Sequence, residues 1–383
     1  MNRNLPAGSR IIGLDLSKKS FIGCILSGEG FVKKGYFSGK MTRDEHGWDV
    51  IRSNIHSSDL VLMEAGTSSF SLARYLQQSS VAQEVIVLNP GMLRVIWMSQ
   101  KKNDKSDAAK IACVARDMNE EAWPTVTIPT IEEQSERLSI TSYVFYKQEE
   151  TQLINRLYAL YNSLGFPEIP RKVLREQPEA RKELCCKLLS SYSSALDEAV
   201  LMMEQLDLTQ FHISIKLDHL RSICLNHPRA ALSWFSIPGI GLINAATLIA
   251  YIGDGSRFSN PHQLLNYAGL VPKQDQSGTV DKHLGINHRG NTYIRRNIVQ
   301  GGWVVSQMKP TCPLTKFAYR KIKEGKQKQK VAIAVANKML RTGLALLHSG
   351  ELYHPMIQEG YEKLELKLRS YKVQALMKSV TQD

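Results

Sequence analysis

Ile11-Ile12-Gly13-Leu14-Asp15-Leu16 and Leu60-Val61-Leu62-Met63-Glu64 are two short apolar runs, each with one carboxylate near its C-terminal end. Runs of this length and composition read as buried strands. A carboxylate inside such a strand is costly to bury unless it is paired or bound to a cation. A third acidic element follows in the basic string Lys101-Lys102-Asn103-Asp104-Lys105-Ser106-Asp107. There Asp104 and Asp107, three residues apart, share one face of a helix.

The segments around these runs set the fold class. Residues 11–16, 21–26 and 31–37 are short apolar or alternating runs separated by Ser, Lys and Gly, as in strands joined by hairpins. Apolar residues at roughly helical spacing occupy 43–56, then come the strand 59–64 and a helix over Ser68–Gln78. A strand over 84–88 and a helix from Asp104 to Met118 complete the series. The order of three strands, helix, strand, helix, strand, helix predicts an α/β layer with a mixed sheet over 9–124.

Trp123-Pro124 and Ile128-Pro129 mark a boundary. Two long, charged, helical stretches follow within 131–226 and predict an antiparallel coiled-coil-like spacer or oligomerisation arm. Beyond it lies a third region, 229–349, with a charged tail over 350–383. In Ile237-Pro238-Gly239-Ile240-Gly241, between helical patterns, the glycines Gly239 and Gly241 suit a helix-hairpin-helix turn. Such a turn either lets backbone N–H groups approach a phosphate or joins two helices tightly. Residues 264–302 read as loop-rich, and the lysine-rich stretch Lys321–Lys330 as an exposed basic hinge or a solvated linker.

A chain of 383 residues exceeds one ordinary core, so two or three domains are expected. Its charge is unevenly distributed. Residues 1–124 hold 16 Lys/Arg against 13 Asp/Glu, 125–228 hold 11 against 14, and 229–383 hold 22 against 9. The basic excess sits in the last third and points to a polyanionic partner. The six cysteines include no C-x-x-C pair and read as reduced thiols. With no apolar run near ~20 residues and no secretory leader pattern, a cytoplasmic protein without a membrane partner is expected.

The four carboxylates have a chemistry in common. Phosphodiesters resist nucleophiles because their own charge repels them, and a divalent cation held by carboxylates relieves that repulsion. Asp15, Glu64, Asp104 and Asp107 supply the hard oxygen ligands that Mg²⁺ takes, and Lys101, Lys102 and Lys105 suit a phosphate backbone beside it. Taken singly, each residue also has an ordinary reading. Asp104 and Asp107 resemble surface helix residues paired with lysine, and Asp15 a strand-end residue. Asp44, Glu45, Asp49 and Asp59 read as solvated helix or turn residues.

The layout Ile-Ile-Gly-Leu-Asp15, Leu-Met-Glu64, Lys-Asn-Asp104-Lys-Ser-Asp107 resembles the DEDD transposases of the insertion-sequence 110 family, relatives of the Piv DNA invertases. Further motifs do so independently: Ile237–Leu242, Asn266-Tyr267-Ala268-Gly269-Leu270-Val271-Pro272, Ser277-Gly278, and Arg289-Gly290-Asn291 followed by Arg295-Arg296. The resemblance implies a RuvC-like, RNase H-like N-terminal domain and a mainly α C-terminal transposase domain. It implies a recombinase that cuts and rejoins donor and target DNA, guided by an RNA from its own element. It also implies that Ser277 is the nucleophile forming a phosphoserine bond, that Arg289, Asn291, Arg295 and Arg296 contact nucleic acid, and that the protein works as a homo-oligomer. From its residues alone, Ser277-Gly278 reads as a turn. The long separation of Ser277 from Glu64 implies a composite site, for which the spacer could join two chains. This chain has Asn287-His288 where the family commonly has Ser/Thr-Lys. Rival expectations are a junction resolvase or invertase using the carboxylates without guide RNA, and a silent nucleic-acid-binding scaffold.

Overall fold

The computed structural model describes residues 8–96, 104–277, 280–286 and 290–353, with backbone alone at 94–96, 273–277 and 280–284. The chain divides into two compact units, Met1–Thr130 and Ile131–Asp383.

The first unit is a mixed sheet with helices on both faces. Its strands are β1 (Ile11–Leu16), β2 (Ser20–Ser27), β3 (Lys33–Lys40), β4 (Leu60–Glu64), β5 (Glu84–Leu88) and β6 (Thr125–Val126). The helices are α1 (Trp48–Ser53), α2 (Ser69–Gln78), α3 (Pro90–Ile96) and α4 (Asp104–Asp117). The order across the sheet is β3-β2-β1-β4-β5-β6. β1 runs antiparallel to β2 and parallel to β4, β4 is parallel to β5, and β6 returns antiparallel. The expected α/β layer is therefore present. Alternation along β1 and β4 separates two cores. Ile11, Leu60 and Leu62 pack with Ala108, Ile111 and Ala112 of α4. Ile12, Leu14, Val61 and Met63 pack on the opposite face with Trp48, Ile51, Leu72 and Leu76.

Three local expectations change. The helix over 43–56 shrinks to α1, because the Asp44 carboxylate accepts hydrogen bonds from Thr42 Oγ1 (2.6 Å) and the His46 amide (3.0 Å) and closes a turn. The boundary at 123–129 contains β6, which pairs Val126 with Val87 and Thr125 with Leu88. Asp59 is fully buried rather than solvated. Arg10 donates to it from Nε (3.1 Å) and Nη2 (2.6 Å), and the Arg10 and His56 amides donate as well. This clamp joins the starts of β1 and β4, and its other half lies 49 residues away.

Among its described residues the second unit is helical apart from one hairpin. Helix α5 (Ile131–Ser163) pairs with α8 (Ser193–Asn226), and α6 (Arg171–Glu176) and α7 (Pro178–Leu189) lie between them in sequence. Then come α9 (Pro228–Ser236), α10 (Leu242–Ile252), α11 (Pro261–Ala268), β7 (Pro272–Ser277), β8 (Val280–Ile286), α12 (Thr292–Gln307), α13 (Pro313–Lys323) and α14 (Lys328–Ser349). The expected long helical pair is α5 and α8, and it shares one compact unit with the C-terminal helices. The stretch 264–302, expected to be loop-rich, holds the end of α11, the hairpin and much of α12. The basic stretch 321–330 is the end of α13, a short turn and the start of α14. One core joins Trp234, Leu248, Ile298, Val335 and Leu340, and another, between the long helices, joins Leu157, Tyr161, Leu189 and Leu206. Among the described residues no helix is long and apolar enough to cross a membrane.

Removing one partner of a buried, hydrogen-bonded ion pair strands the other. Asp59→Ala is expected to lower the stability of the first unit by about 3–5 kcal/mol, measured by urea unfolding followed at Trp48. Unchanged stability would remove the clamp from the account.

Candidate active site

Asp15 lies near the end of β1, and Glu64 is the last residue of the parallel neighbour β4. Their shared register runs to Leu14 opposite Met63, one position before both carboxylates. By alternation Asp15 follows Ile11 and Gly13, and Glu64 follows Leu60 and Leu62, onto the face covered by α4. Both are half-buried.

Gly13 sets how closely α4 approaches that face. A Cβ at this position would collide with the Ala108 carbonyl oxygen and lie 2.5 Å from the Ala112 amide nitrogen. The strand and helix backbones thus touch, and Ala108 and Ala112 are fully buried at the contact. One turn towards the start of α4 from this contact are Asp104, which is exposed, and Asp107, which is half-buried.

The electrostatics register the grouping. Burial raises the pKa of Asp15 from 3.8 to about 6, and the charges of Asp104, Asp107 and Glu64 push it the same way. Asp107 is partly compensated by Lys110, whose Nζ donates to it at 2.8 Å. Lys105 is exposed, with its Nζ 5.9 Å from the Tyr36 ring centroid. Lys101 and Lys102 lie outside the described residues. Among the described residues, no three His, Cys, Asp or Glu side chains form a group that could hold a metal ion as placed. The charges of Asp104, Asp107 and Glu64 act on Asp15 without the carboxylates closing into one coordination sphere. Their donor atoms, all carboxylate oxygen, match a hard divalent ion.

The other expected residues lie in the second unit. Ser277 ends β7, opposite Val280 in the hairpin register, and the adjoining Gly278 lies outside the described residues. Gly239 has φ +81° in the turn between α9 and α10, and a Cβ there would meet the Gly301 carbonyl oxygen and Val305 Cγ2, each at 2.7 Å. Its freedom therefore serves packing on α12. Gly241 caps α10, is exposed, and has nothing within 4 Å of a built Cβ. The Asn291 side chain caps α12 by accepting from the Tyr293 (3.0 Å) and Ile294 (3.1 Å) amides. Arg295 donates to the Ala268 (3.2 Å) and Gly290 (3.3 Å) carbonyls, tying α12 to the end of α11. Arg296 is exposed, and Arg289 lies outside the described residues.

Residues 234–315 match the sequence profile described as the transposase IS116/IS110/IS902 family. That segment is thus similar to this transposase family. It includes α10, the β7–β8 hairpin with Ser277, and α12. Over most of its length the chain is similar to two insertion-sequence transposases. It is 24% identical to that of element IS1111A from Coxiella burnetii over 361 residues, covering 90% of this chain and 91% of that protein. It is 25% identical to that of IS1328 from Yersinia enterocolitica over 317 residues, covering 78% and 84%. It is also 32% identical over 136 residues to the pilin gene-inverting protein of Moraxella bovis, a match spanning 35% of this chain and 41% of that relative. The similarity thus reaches less than half the length of the inverting protein.

Sequence reading missed the Gly13 contact and Lys110. The signal for the first was present in Gly13 within an apolar strand and Ala108 and Ala112 four apart on a helix, small residues where two backbones can meet.

Because the folded state holds Asp15 at a raised pKa, its protonated form favours folding. That contribution is present below about pH 4 and is lost as pH rises through about 6. Asp15→Asn is therefore expected to stabilise the protein at pH 7.5 by about 1 kcal/mol, discounted for solvent screening of a half-exposed group. The gain should vanish near pH 4. Urea denaturation at both pH values checks this, and a loss at pH 7.5 would contradict it.

Proposed function

We propose that the protein is an insertion-sequence transposase, a recombinase that cuts and rejoins DNA with its four carboxylates and Ser277. The observation that carries this reading is the gathering of Asp104, Asp107 and Glu64 around Asp15, in a chain whose second unit matches a transposase family. The strand order β3-β2-β1-β4-β5, with an acid on each of β1 and β4 and two on the covering helix, supports an RNase H-like, RuvC-like assignment for the first unit.

Asp15, Glu64, Asp104 and Asp107 would hold Mg²⁺, and a cation there would offset the charges that help raise the Asp15 pKa. A divalent ion there neutralises charge building on the scissile phosphate. The chain's residues divide the remaining work. Glu64 and Asp15 are fixed by adjacent strands, and Asp104 and Asp107 by a helix seated on the same strand, so the carboxylates are positioned before substrate arrives. Asp107, now partly neutralised by Lys110, would be one of the residues holding the cation, and the Lys110 ammonium would then be available to a phosphate. Ser277 at the hairpin end attacks phosphorus through its hydroxyl oxygen. Its proton passes to a base, the P–O bond to one deoxyribose breaks, and the base returns the proton to that oxygen, which leaves as a hydroxyl. The phosphoserine keeps the diester's energy for rejoining without ATP. Exposed Arg296 and Lys105, together with Lys101, Lys102 and Arg289, would contact nucleic acid, as a homo-oligomer on donor and target DNA requires. An RNA from the same element would choose the DNA, which leaves the chain mainly backbone contacts to make.

The likeness to the pilin gene-inverting protein favours a second reading, inversion of a DNA segment by the same chemistry without guide RNA. Sequencing the RNA that co-purifies with the protein separates the two readings. Discrete RNA from the flanks of its own gene is expected, and its absence would favour inversion.

The test of the chemistry is excision from a plasmid bearing the gene with its native flanks. Asp15→Ala and Asp104→Ala are each expected to reduce rejoined junctions at least ~100-fold. Ser277→Ala should abolish both the junctions and the protein–DNA adduct seen on denaturing gels. Cutting that persists in Ser277→Ala would show that the carboxylates hydrolyse DNA unaided.

A further inference from the structure

Between Lys309 and Arg341 the sequence has ten Lys/Arg and a single acid, Glu324. The structure arranges much of this charge in two rows. On α13, Lys316, Arg320 and Lys323 recur at i, i+4 and i+7, and all three are exposed. The opposite side of the same helix buries Leu314, Thr315 and Ala318. On α14, exposed Lys330, Lys338 and Arg341 follow one stripe, with the half-buried Ala334 between the first two. The two helices pack together, and Lys338 Nζ lies 4.7 Å from the Phe317 ring centroid, so the rows flank one seam. Glu324, at the turn, pairs with Lys321 (2.6 Å) and Arg320 (3.8 Å).

The aromatic residues narrow the choice of partner. A surface for unpaired bases offers open ring faces on which the bases stack. Here the rings are occupied by the chain's own cations. Lys338 and Arg320 sit over Phe317, the latter at 5.8 Å, and Lys323 sits over Tyr319 at 4.8 Å. These contacts hold the charged ends in place and lower the entropy lost when they meet an anion. Two rows separated by about one helix-packing distance, roughly 8–10 Å, suit two rows of phosphates better than a single strand.

We infer that the α13–α14 corner is a docking surface for duplex DNA, gripping the phosphate backbone without reading sequence. This rests on the transposase reading for the choice of DNA as the polyanion. It assigns a role to the lysine-rich stretch, which the sequence left between hinge and linker. It also places the main electrostatic grip on the second unit, whereas the carboxylates belong to the first.

The test is fluorescence anisotropy of the full-length protein on a 30-base-pair duplex of arbitrary sequence, repeated over a series of salt concentrations. The variant is Lys316→Gln/Lys323→Gln/Lys338→Gln, and Lys187→Gln, at an exposed lysine of α7, serves as the control. The triple variant should bind about 10–100-fold more weakly at low salt, with the slope of log K against log salt reduced by about one per lysine. Its melting temperature should match the wild type, and Lys187→Gln should bind duplex with nearly wild-type affinity and salt slope. A triple variant with wild-type affinity and slope overturns the inference while leaving the transposase reading intact. A wild-type protein that binds no duplex at any salt overturns both. A duplex RNA of the same length bound more tightly than DNA, with the same lysines responsible, overturns the choice of DNA.

Discussion

The backbone contact between β1 and α4 is the constraint from which the first unit's site follows. A strand bearing one buried-face carboxylate and a helix bearing two more can share a site only if they lie very close. Gly13 has no side chain to hold them apart, and Ala108 and Ala112 have the smallest side chains that still bury apolar surface. The contact carries an electrostatic cost. It draws Asp104 and Asp107 towards Asp15 and helps raise that carboxyl well above the ordinary range. A fold maximising stability alone would place a neutral residue at position 15, so the retained repulsion is what a cation-binding role would leave behind.

Glycines in the second unit act in the same way on helices. The turn glycine Gly239 lies against Gly301 of α12 and lets two helices approach closely. Asn291 and Arg295 likewise spend their polar groups on a helix cap and on the carbonyls ending α11. Much of the motif that resembles transposases therefore maintains the scaffold around the hairpin that carries Ser277. A scaffold built this tightly would suit a hairpin end that, on the proposed reading, has to be presented repeatably.

How much of this was legible in sequence depended on the range of the interaction. Strand order in the first unit followed from local apolar runs, and the two strand carboxylates stood out because a charge in such a run conflicts with burial. The Arg10–Asp59 clamp was invisible, because an aspartate before a strand looks solvated until an arginine 49 residues earlier folds onto it. The loop reading of 264–302 fails in part because Gly301 and Gly302, a pair that resembles a helix breaker, lie inside α12 as points of close helix contact. β6 was too short, at two residues, to give a periodic signal. The role of Ser277 came from family likeness, since a serine before glycine has no distinctive physical pattern of its own.

Mn²⁺ binding tests most directly whether the β1–α4 contact makes one site of four carboxylates. Electron paramagnetic resonance would follow Mn²⁺ added to the full-length wild type and to Gly13→Ala, with circular dichroism confirming that each is folded. The wild type is expected to take up Mn²⁺ saturably, and folded Gly13→Ala to bind it at least ~10-fold more weakly, as the added methyl pushes Asp104 and Asp107 away from Asp15. Equal binding by the two proteins would contradict the account.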